Sequence, residues 1–531
     1  MKKIRRVKKN LRYTDALQAV ERSHTEVEQQ LGTSLEENEQ LLKTVFQKCS
    51  DLVFHKVPTK DRGTMLAVYV DGLVDSWHLD EIVLKPLLYE GVPQGLERVQ
   101  SVAELVRNES VAVGQTKTVT MTSELVLEVM RGGVALLADG SAEVLVIGLQ
   151  AWEKRSLQEP VTESVIRGPR EGFIENIRTN TSLLRRRIKS PRLKMETLTI
   201  GELSQTSVVV TYIEGIVSES LVQEVHRRLS DIQIDGVLES GYLEEMIEDK
   251  PFSPFPQMQY TERPDVVVGN LLEGRVAVLV DGTPNALLMP LTIWGAMHAN
   301  EDYYERWMMV SLVRLIRILF LGIALLLPSL YVAITTYHQE MLPTNLLLSI
   351  AGARENSPFP ALIEALIMEV TFEALREAGV RLPKPVGQAV SIVGALVIGQ
   401  AAVDAAIVSA PLVIVVSITG IASFTIPRYN LSIAIRLMRF PMIFLAGTLG
   451  LFGITLGLLG LLIHLSSLRS FGTPYLYPVA PLTIESLRDV FIRAPWWSLN
   501  VRPRLTGYND PVRIPEGQYP SPENESGKPK S

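Results

Sequence analysis

Apolar positions divide this chain into two unlike parts. Up to about Met297 they come in short runs broken by charges, and beyond Met308 they become nearly continuous. Ile318–Thr335 is free of charge, Val386–Ile426 contains only Asp404, and Pro441–Leu465 contains none. A helix crosses a bilayer's hydrocarbon layer with about 20 apolar residues. The middle run is roughly twice that length, which predicts two spans joined at Ser409-Ala410-Pro411 or near Asp404. Before it, Pro358–Glu373 sets Leu362, Ile363, Leu366, Ile367 and Val370 at helical spacing opposite an acidic stripe. That is an amphipathic helix, lying at the interface or lining a water-filled path among other helices. The count is four spans, or five if the acidic helix crosses. Arg306, Arg314 and Arg317 ahead of the first span place the N-terminal half in the cytoplasm. The later clusters, Arg376, Arg381 and Lys384, then Arg428, Arg436 and Arg439, leave the parity open.

The first half predicts strands that end in tight turns. Leu66–Val70 runs into Asp71-Gly72, Val134–Ala138 into Asp139-Gly140, Val276–Val280 into Asp281-Gly282, and Val209–Ile213 into Glu214-Gly215. Glycine supplies the positive φ that such turns need. Asp71 and Glu214 lie 143 residues apart, and Asp139 and Asp281 lie 142 apart. Asp75 and Ser218 then stand where a helix N-cap is expected. The spacing predicts two tandem α/β units made by duplication.

Composition narrows the function. Of 531 residues, 47% are hydrophobic and 21% charged, and the net charge is −6. The mean hydropathy is +0.17. Acidity argues against a nucleic-acid binder, and the cluster Arg185-Arg-Arg-Ile-Lys189 reads as a solvated or phosphate-facing loop near the membrane. A single cysteine, Cys49, excludes an intrachain disulfide framework. The basic start, Met1–Lys9, leads into polar sequence and so does not read as a secretory signal. There is no G-x-x-x-x-G-K-S/T loop, G-x-S-x-G elbow or H-E-x-x-H pair, and neither an enzyme nor a cofactor is expected.

The embedded polar residues carry the functional question. Glu364, Glu369, Gln400 and Asp404 would be costly against lipid, by about 2.5–3.5 kcal/mol for a central Asp, so they should face protein or water. They are candidate pore or polar membrane residues; equally, Asp404 caps a turn at the membrane surface, and the two glutamates sit on the wet face of an interfacial helix. Pro328 removes a backbone hydrogen bond from the first span and is a candidate kink or gate. Gly394, Gly399, Ala402, Ala406, Gly453 and Gly457 offer small faces for close helix packing.

Several ordered motifs then carry a resemblance. Leu327-Pro-Ser-Leu-Tyr-Val-Ala, Arg354-Glu-x-x-Pro-Phe-Pro360, Glu373-x-x-Arg376-Glu-Ala-Gly379-x-Arg-Leu-Pro383, Gly394-Ala-Leu-Val-Ile-Gly-Gln-Ala401 and Ser470-Phe-Gly-x-Pro-Tyr475 closely resemble the GerA family of spore germination proteins, A-subunit type. Gly168-Pro-Arg-Glu-Gly-Phe173 and Glu301-Asp-Tyr-Tyr304 fit the same family. The resemblance covers about residues 35–500. It implies a germinant-receptor subunit in the spore inner membrane, with its N-terminal domain facing the cytoplasm or spore core. It also implies a transporter-like B subunit and a lipoprotein C subunit as partners. Copies are thought to form a homo-oligomer, a pentamer, that acts as a nutrient-gated cation channel in contact with membrane lipid. A SpoVAF-like paralogue that amplifies the signal shares the motifs. A non-conducting scaffold ranks next, and a secondary transporter last.

The expected organisation is a charged lead (1–44), α/β subdomains (45–150 and 195–297) flanking a basic linker (151–194), an all-α polytopic membrane domain (298–467), a C-terminal cytosolic segment (468–504) and a disordered tail (505–531).

Overall fold

The computed structural model describes residues 29–59, 63–85, 116–150, 165–382, 399–484, 486–503 and 509–515, with a few isolated positions besides. It forms two compact units. One comprises Met1–Glu248, Met258–Pro290 and Trp496–Ser531; the other comprises Asp249–Gln257 and Leu291–Pro495.

The first unit is built on two antiparallel sheets. Its first half runs α1 (Leu35–Val45), β1 (Leu52–Thr59), β2 (Gly63–Val70), β3 (Thr116–Val119), α2 (Thr122–Met130), β4 (Gly133–Ala138) and β5 (Val144–Gly148). The strands lie in the order β1-β2-β4-β5-β3. Alternation sorts β2 between two cores: Leu66, Val68 and Val70 join α1 and α2, while Met65 and Ala67 join Leu79 and Val83 on the other face. The second half runs α3 (Ile177–Arg187), β6 (Leu193–Ile200), β7 (Thr206–Ile213), α4 (Glu219–Ser230), α5 (Ser240–Ile247), β8 (Gln259–Thr261), α6 (Pro264–Leu271), β9 (Val276–Val280) and β10 (Ala286–Met289). Its order, β6-β7-β9-β10-β8, repeats that of the first sheet.

The turns fall where the sequence placed them. Gly72, Gly140, Gly215 and Gly282 all have positive φ, between 79° and 88°. Asp139 accepts from the Leu35 N–H at the start of α1, and Asp281 accepts from the Ile177 N–H at the start of α3, each at 3.1 Å. Asn38 closes a pair of bonds with Gly32 at 3.0 and 2.8 Å, and Asn180 does so with Ile174 at 2.9 and 2.6 Å. The Gly140 N–H donates to Thr33 O and the Gly282 N–H to Glu175 O. Asp75 caps its helical turn by accepting from the His78 N–H at 3.1 Å. Ser218 stands at the N-cap of α4, but its hydroxyl bonds to Ser220 instead.

The expected basic linker contains α3, which corrects the reading of its arginine cluster as solvated. Arg185 is fully buried and reaches Asp51 through Nε at 2.6 Å and Nη2 at 2.8 Å. Arg186 and Arg187 pair with Glu171. Beside Asp51 the backbone of 48–50 joins the second sheet: the Met195 N–H donates to Lys48 O at 3.0 Å, and the Ser50 N–H donates to Met195 O at 2.9 Å. Residues 509–515, expected within a disordered tail, also fold against this unit. The Asn509 side chain donates to Val217 O, and Arg513 stacks 4.8 Å over Trp496.

The second unit is helical: α7 (Ile293–Met297), α8 (Trp307–Tyr337), α9 (Thr344–Arg354), α10 (Ala361–Arg381), α11 (Gly399–Asp404), α12 (Ala410–Phe424) and α13 (Tyr429–Ser467). By length and composition, α8 and α13 suffice to cross a membrane. α13 is not one straight rod. At Gly450 the backbone takes φ 63°, ψ −142°. A Cβ on Gly453 would come within 2.0 Å of Leu445 O, and one on Gly457 within 2.5 Å of Met442 Sδ. In a continuous helix residues eight apart lie about 12 Å apart, so the chain reverses at Gly450 and the two arms pack side by side. Gly453 and Gly457 seat one arm on the other, within one chain.

Candidate functional site

Five helices of the second unit, α8, α9, α10, α12 and α13, contribute to a seam of paired charges. Glu364, early in α10, is 0% exposed. Its Oε2 accepts from the Ser409 N–H at 3.2 Å and the Ser409 hydroxyl at 2.9 Å, at the start of α12. Arg354, closing α9, stands 3.6 Å from its other oxygen. Tyr331 of α8 meets the same Ser409 hydroxyl at 3.4 Å.

Further along α10, Glu369 pairs with Arg439 of α13 at 2.5 Å. The Arg439 Nε also donates to Ala324 O at 2.8 Å. Pro328 explains why that acceptor is free. It has no N–H for the carbonyl four residues back, and that carbonyl belongs to Ala324. The candidate kink therefore supplies an acceptor for a buried arginine.

The seam continues with Glu373 paired to Arg436. Arg376 donates to the Ser423 hydroxyl at 2.7 Å and lies over the Phe372 and Phe424 rings at 5.1 and 4.6 Å. Glycines bring the helices this close: a Cβ on Gly420 would meet Phe372 at 2.4 Å, and one on Gly447 would meet Leu362 at 2.7 Å.

The sequence-derived candidates thus separate. Glu364, Glu369 and Pro328 converge on the buried seam. Gln400 and Asp404 are exposed on α11, bonded to each other at 2.9 Å. Gly399 makes only ordinary contact with Val413, and Ala402 packs beside the core formed by Val332, Ala365 and Ile443. Ala406 has left the helix, with φ 58°. Gly394 lies outside the described residues.

Sequence reasoning missed the arginines as partners, having counted them as flanking charge. The available signal was spacing: Glu369 and Glu373 sit four apart, and Arg439 and Arg436 three apart, on helices of opposite direction. Arg314 and Arg317, counted as flanking charge for orientation, also have acidic partners. Arg314 reaches Asp302 at 3.0 Å and Asp489 at 2.9 Å, and Arg317 reaches Asp302 at 3.0 Å. Burial raises the Asp302 carboxyl, but Arg317 and Arg314 outweigh it and hold the group below its ordinary value. Beside them, burial and then Arg314 push the His298 imidazole down to about 4.

An α/β unit of two five-stranded sheets joined to a helical unit with apolar helices defines a class of protein, and comparison makes it particular. The family described as Bacillus/Clostridium GerA spore germination protein matches residues 40–505. The chain belongs to that family. It is 49% identical to a protein named Uncharacterized membrane protein YfkQ from Bacillus subtilis (strain 168), over 92% of this chain and 94% of that one. It is 44% identical to Spore germination protein KA of the same strain, over 93% and 90% of the two chains. The crystal structure of the N-terminal domain of the A subunit of the Bacillus megaterium spore germinant receptor GerK3 is similar with a TM-score of 0.40 and 35% identity, over 49% of this chain and 96% of that one.

Proposed function

We propose that this chain is the A subunit of a germinant receptor in the spore inner membrane, working with a transporter-like B subunit and a lipoprotein C subunit. Copies of it surround a cation path that opens at the start of germination. The observation that carries this reading is the family match, which runs through both units to residue 505.

In this reading the helical unit spans the bilayer several times, with the two arms of α13 as separate crossings and the α/β unit on the cytoplasmic side. The repeated strand order and hydrogen bonds of the α/β unit support an origin by duplication. Oligomerisation suits the disposition of charge. Glu364 and Glu369 are held within one chain, whereas Gln400 and Asp404 are exposed and available to a path between copies. A carboxylate ring there would attract cations.

The test is potassium efflux from nutrient-triggered spores carrying Asp404→Asn, Glu364→Gln or Glu369→Gln, with subunit levels measured by immunoblot. Altered efflux at normal protein level is the expected result for Asp404→Asn, and unchanged efflux in all three refutes the role of these residues. The enclosure of Glu364 and Glu369 favours one second reading, a non-conducting scaffold or signal amplifier. Purified receptor that stays silent in planar bilayers, partner subunits included, would select it.

A further inference from the structure

The chain leaves the first unit at Glu248, contributes Asp249–Gln257 to the second, and returns at Met258. This excursion is fastened to the end of α13. The Asp249 carboxylate accepts from the Phe471 N–H at 2.6 Å, Lys250 Nζ donates to Ser467 O at 3.0 Å, and the Ser253 hydroxyl meets His464 Nε2 at 2.9 Å. Phe255 is buried beside His464 and Tyr475, with ring centroids 6.0 and 6.5 Å away. The buried Gln257 closes the base, accepting from the Lys250 N–H at 2.9 Å and donating to Lys250 O at 2.7 Å.

The tip of the excursion is a tight turn, Lys250-Pro-Phe-Ser253, in which the Ser253 N–H donates to Lys250 O at 3.1 Å. Pro251 stands at the second position of that turn, where its fixed φ is preset. Phe252 follows it and is fully exposed, whereas Phe255, three residues on, is in the core. The setting of Phe252 is what gives the exposure meaning. Leu459, Leu462 and Ile463 are exposed at helical spacing along the second arm of α13, and the exposed residues that follow them are Ser466, Ser467 and Arg469. The turn is bonded to His464 and Ser467, so it holds Phe252 at the level where the arm passes from apolar to polar. Exposed cations, Lys250 and Arg469, stand at the same level. An exposed aromatic ring among basic side chains at the end of an apolar helix is the chemistry of the headgroup layer.

We propose that Phe252 inserts into the phospholipid headgroup layer and anchors the excursion to the bilayer where α13 leaves it, with Lys250 and Arg469 beside the lipid phosphates. This rests on the reading that the second arm of α13 crosses the membrane. The anchor gives the chain of the α/β unit a hold on the membrane surface between Glu248 and Met258, in addition to its continuation into the helices after Pro290.

The test is photocrosslinking of the full chain in nanodiscs of phosphatidylcholine and phosphatidylglycerol. Phe252→p-benzoylphenylalanine keeps an aromatic side chain at the tip, and Leu459→p-benzoylphenylalanine reports on the span separately. After irradiation, mass spectrometry of the modified peptides is expected to find phospholipid adducts at both positions. Lipid at 459 with none at 252 overturns the proposal while leaving the span intact. So does crosslinking of 252 to protein in place of lipid, which would make Phe252 a contact with another polypeptide. Lipid at 252 but not at 459 would keep the anchor and reject the span, and lipid at neither would overturn both.

Discussion

Arg439 and Glu369 meet at 2.5 Å between α13 and α10, and each side chain is only 3% exposed. Neither could be left alone in such surroundings. Removing one partner of a buried pair typically costs about 3–5 kcal/mol, because the other charge stays desolvated, whereas replacing both with apolar groups is often neutral. Glu369→Leu should therefore destabilise the purified protein by about 3 kcal/mol or more, and Glu369→Leu/Arg439→Leu should recover most of that loss. Thermal unfolding of the single and double variants in detergent checks this. A double variant no better than the worse single would mean that the bond from Arg439 to Ala324 O matters more than the pair.

The reversal at Gly450 makes a sharper demand on sequence. Its φ of 63° is one that side chains resist, and a Cβ there would lie 2.9 Å from His338 Nε2 and 3.1 Å from Tyr337 Cβ. The turn is held by those same residues: the Tyr337 hydroxyl donates to Gly447 O and Thr448 O, and the Leu451 N–H donates to His338 Nε2. Gly453→Ala should be the more damaging change, since its Cβ would strike the Leu445 carbonyl. Gly450→Ala and Gly453→Ala should both accumulate poorly in membranes by immunoblot, with Gly453→Ala lower. Normal accumulation of Gly453→Ala would contradict the packed hairpin.

The ion pair of Arg185 with Asp51 ties the two halves of the first unit together. Arg185 also donates to Ser190 O at 3.1 Å, so its guanidinium is satisfied on both sides. Arg185→Met should lower stability by about 3–5 kcal/mol by stranding Asp51. Arg186→Met, whose partner Glu171 is about one-third exposed, should cost under about 1 kcal/mol. Urea unfolding of the full-length protein by tryptophan fluorescence separates the two, and equal losses would mean that the burial of Arg185 carries no energy.

These cases mark where sequence pattern informs and where it stops. The strands ending at Gly72, Gly140, Gly215 and Gly282 were legible because alternation and an Asp-Gly or Glu-Gly turn are local properties. Glu364, Glu369 and Pro328 were legible as residues out of place in apolar sequence. Their partners left only a matched spacing of acids and arginines, because a pair such as Glu369 with Arg439 forms between residues 70 apart in the chain and no local period says which elements meet. The Gly450 reversal was hidden for a related reason. The run Pro441–Leu465 has the length of one span, and only the crowding at Gly453 reveals two arms. Arg185 was misjudged because a charge run reads as a wet surface until its counter-charge, Asp51, is seen.

His298 gives the second unit a pH dependence of definite sign. It is half-buried beside Arg314, within a cluster holding Asp302, Asp489 and Tyr303, and its Nε2 meets Val490 O at 3.4 Å. Burial and the neighbouring guanidinium hold its imidazole down at about 4, against an ordinary 6.5. As pH falls below about 6.5, the unfolded chain takes up a proton that the folded one refuses, so stability is lost on acidification and retained above that value. Between about pH 7 and about pH 5 the loss from this one group should be about 2 kcal/mol. His298→Gln keeps a donor for Val490 O and has no proton to gain, so its melting temperature should fall less over the same interval. Thermal scans of both proteins at the two pH values decide it: parallel losses would assign the acid sensitivity to Asp302 instead.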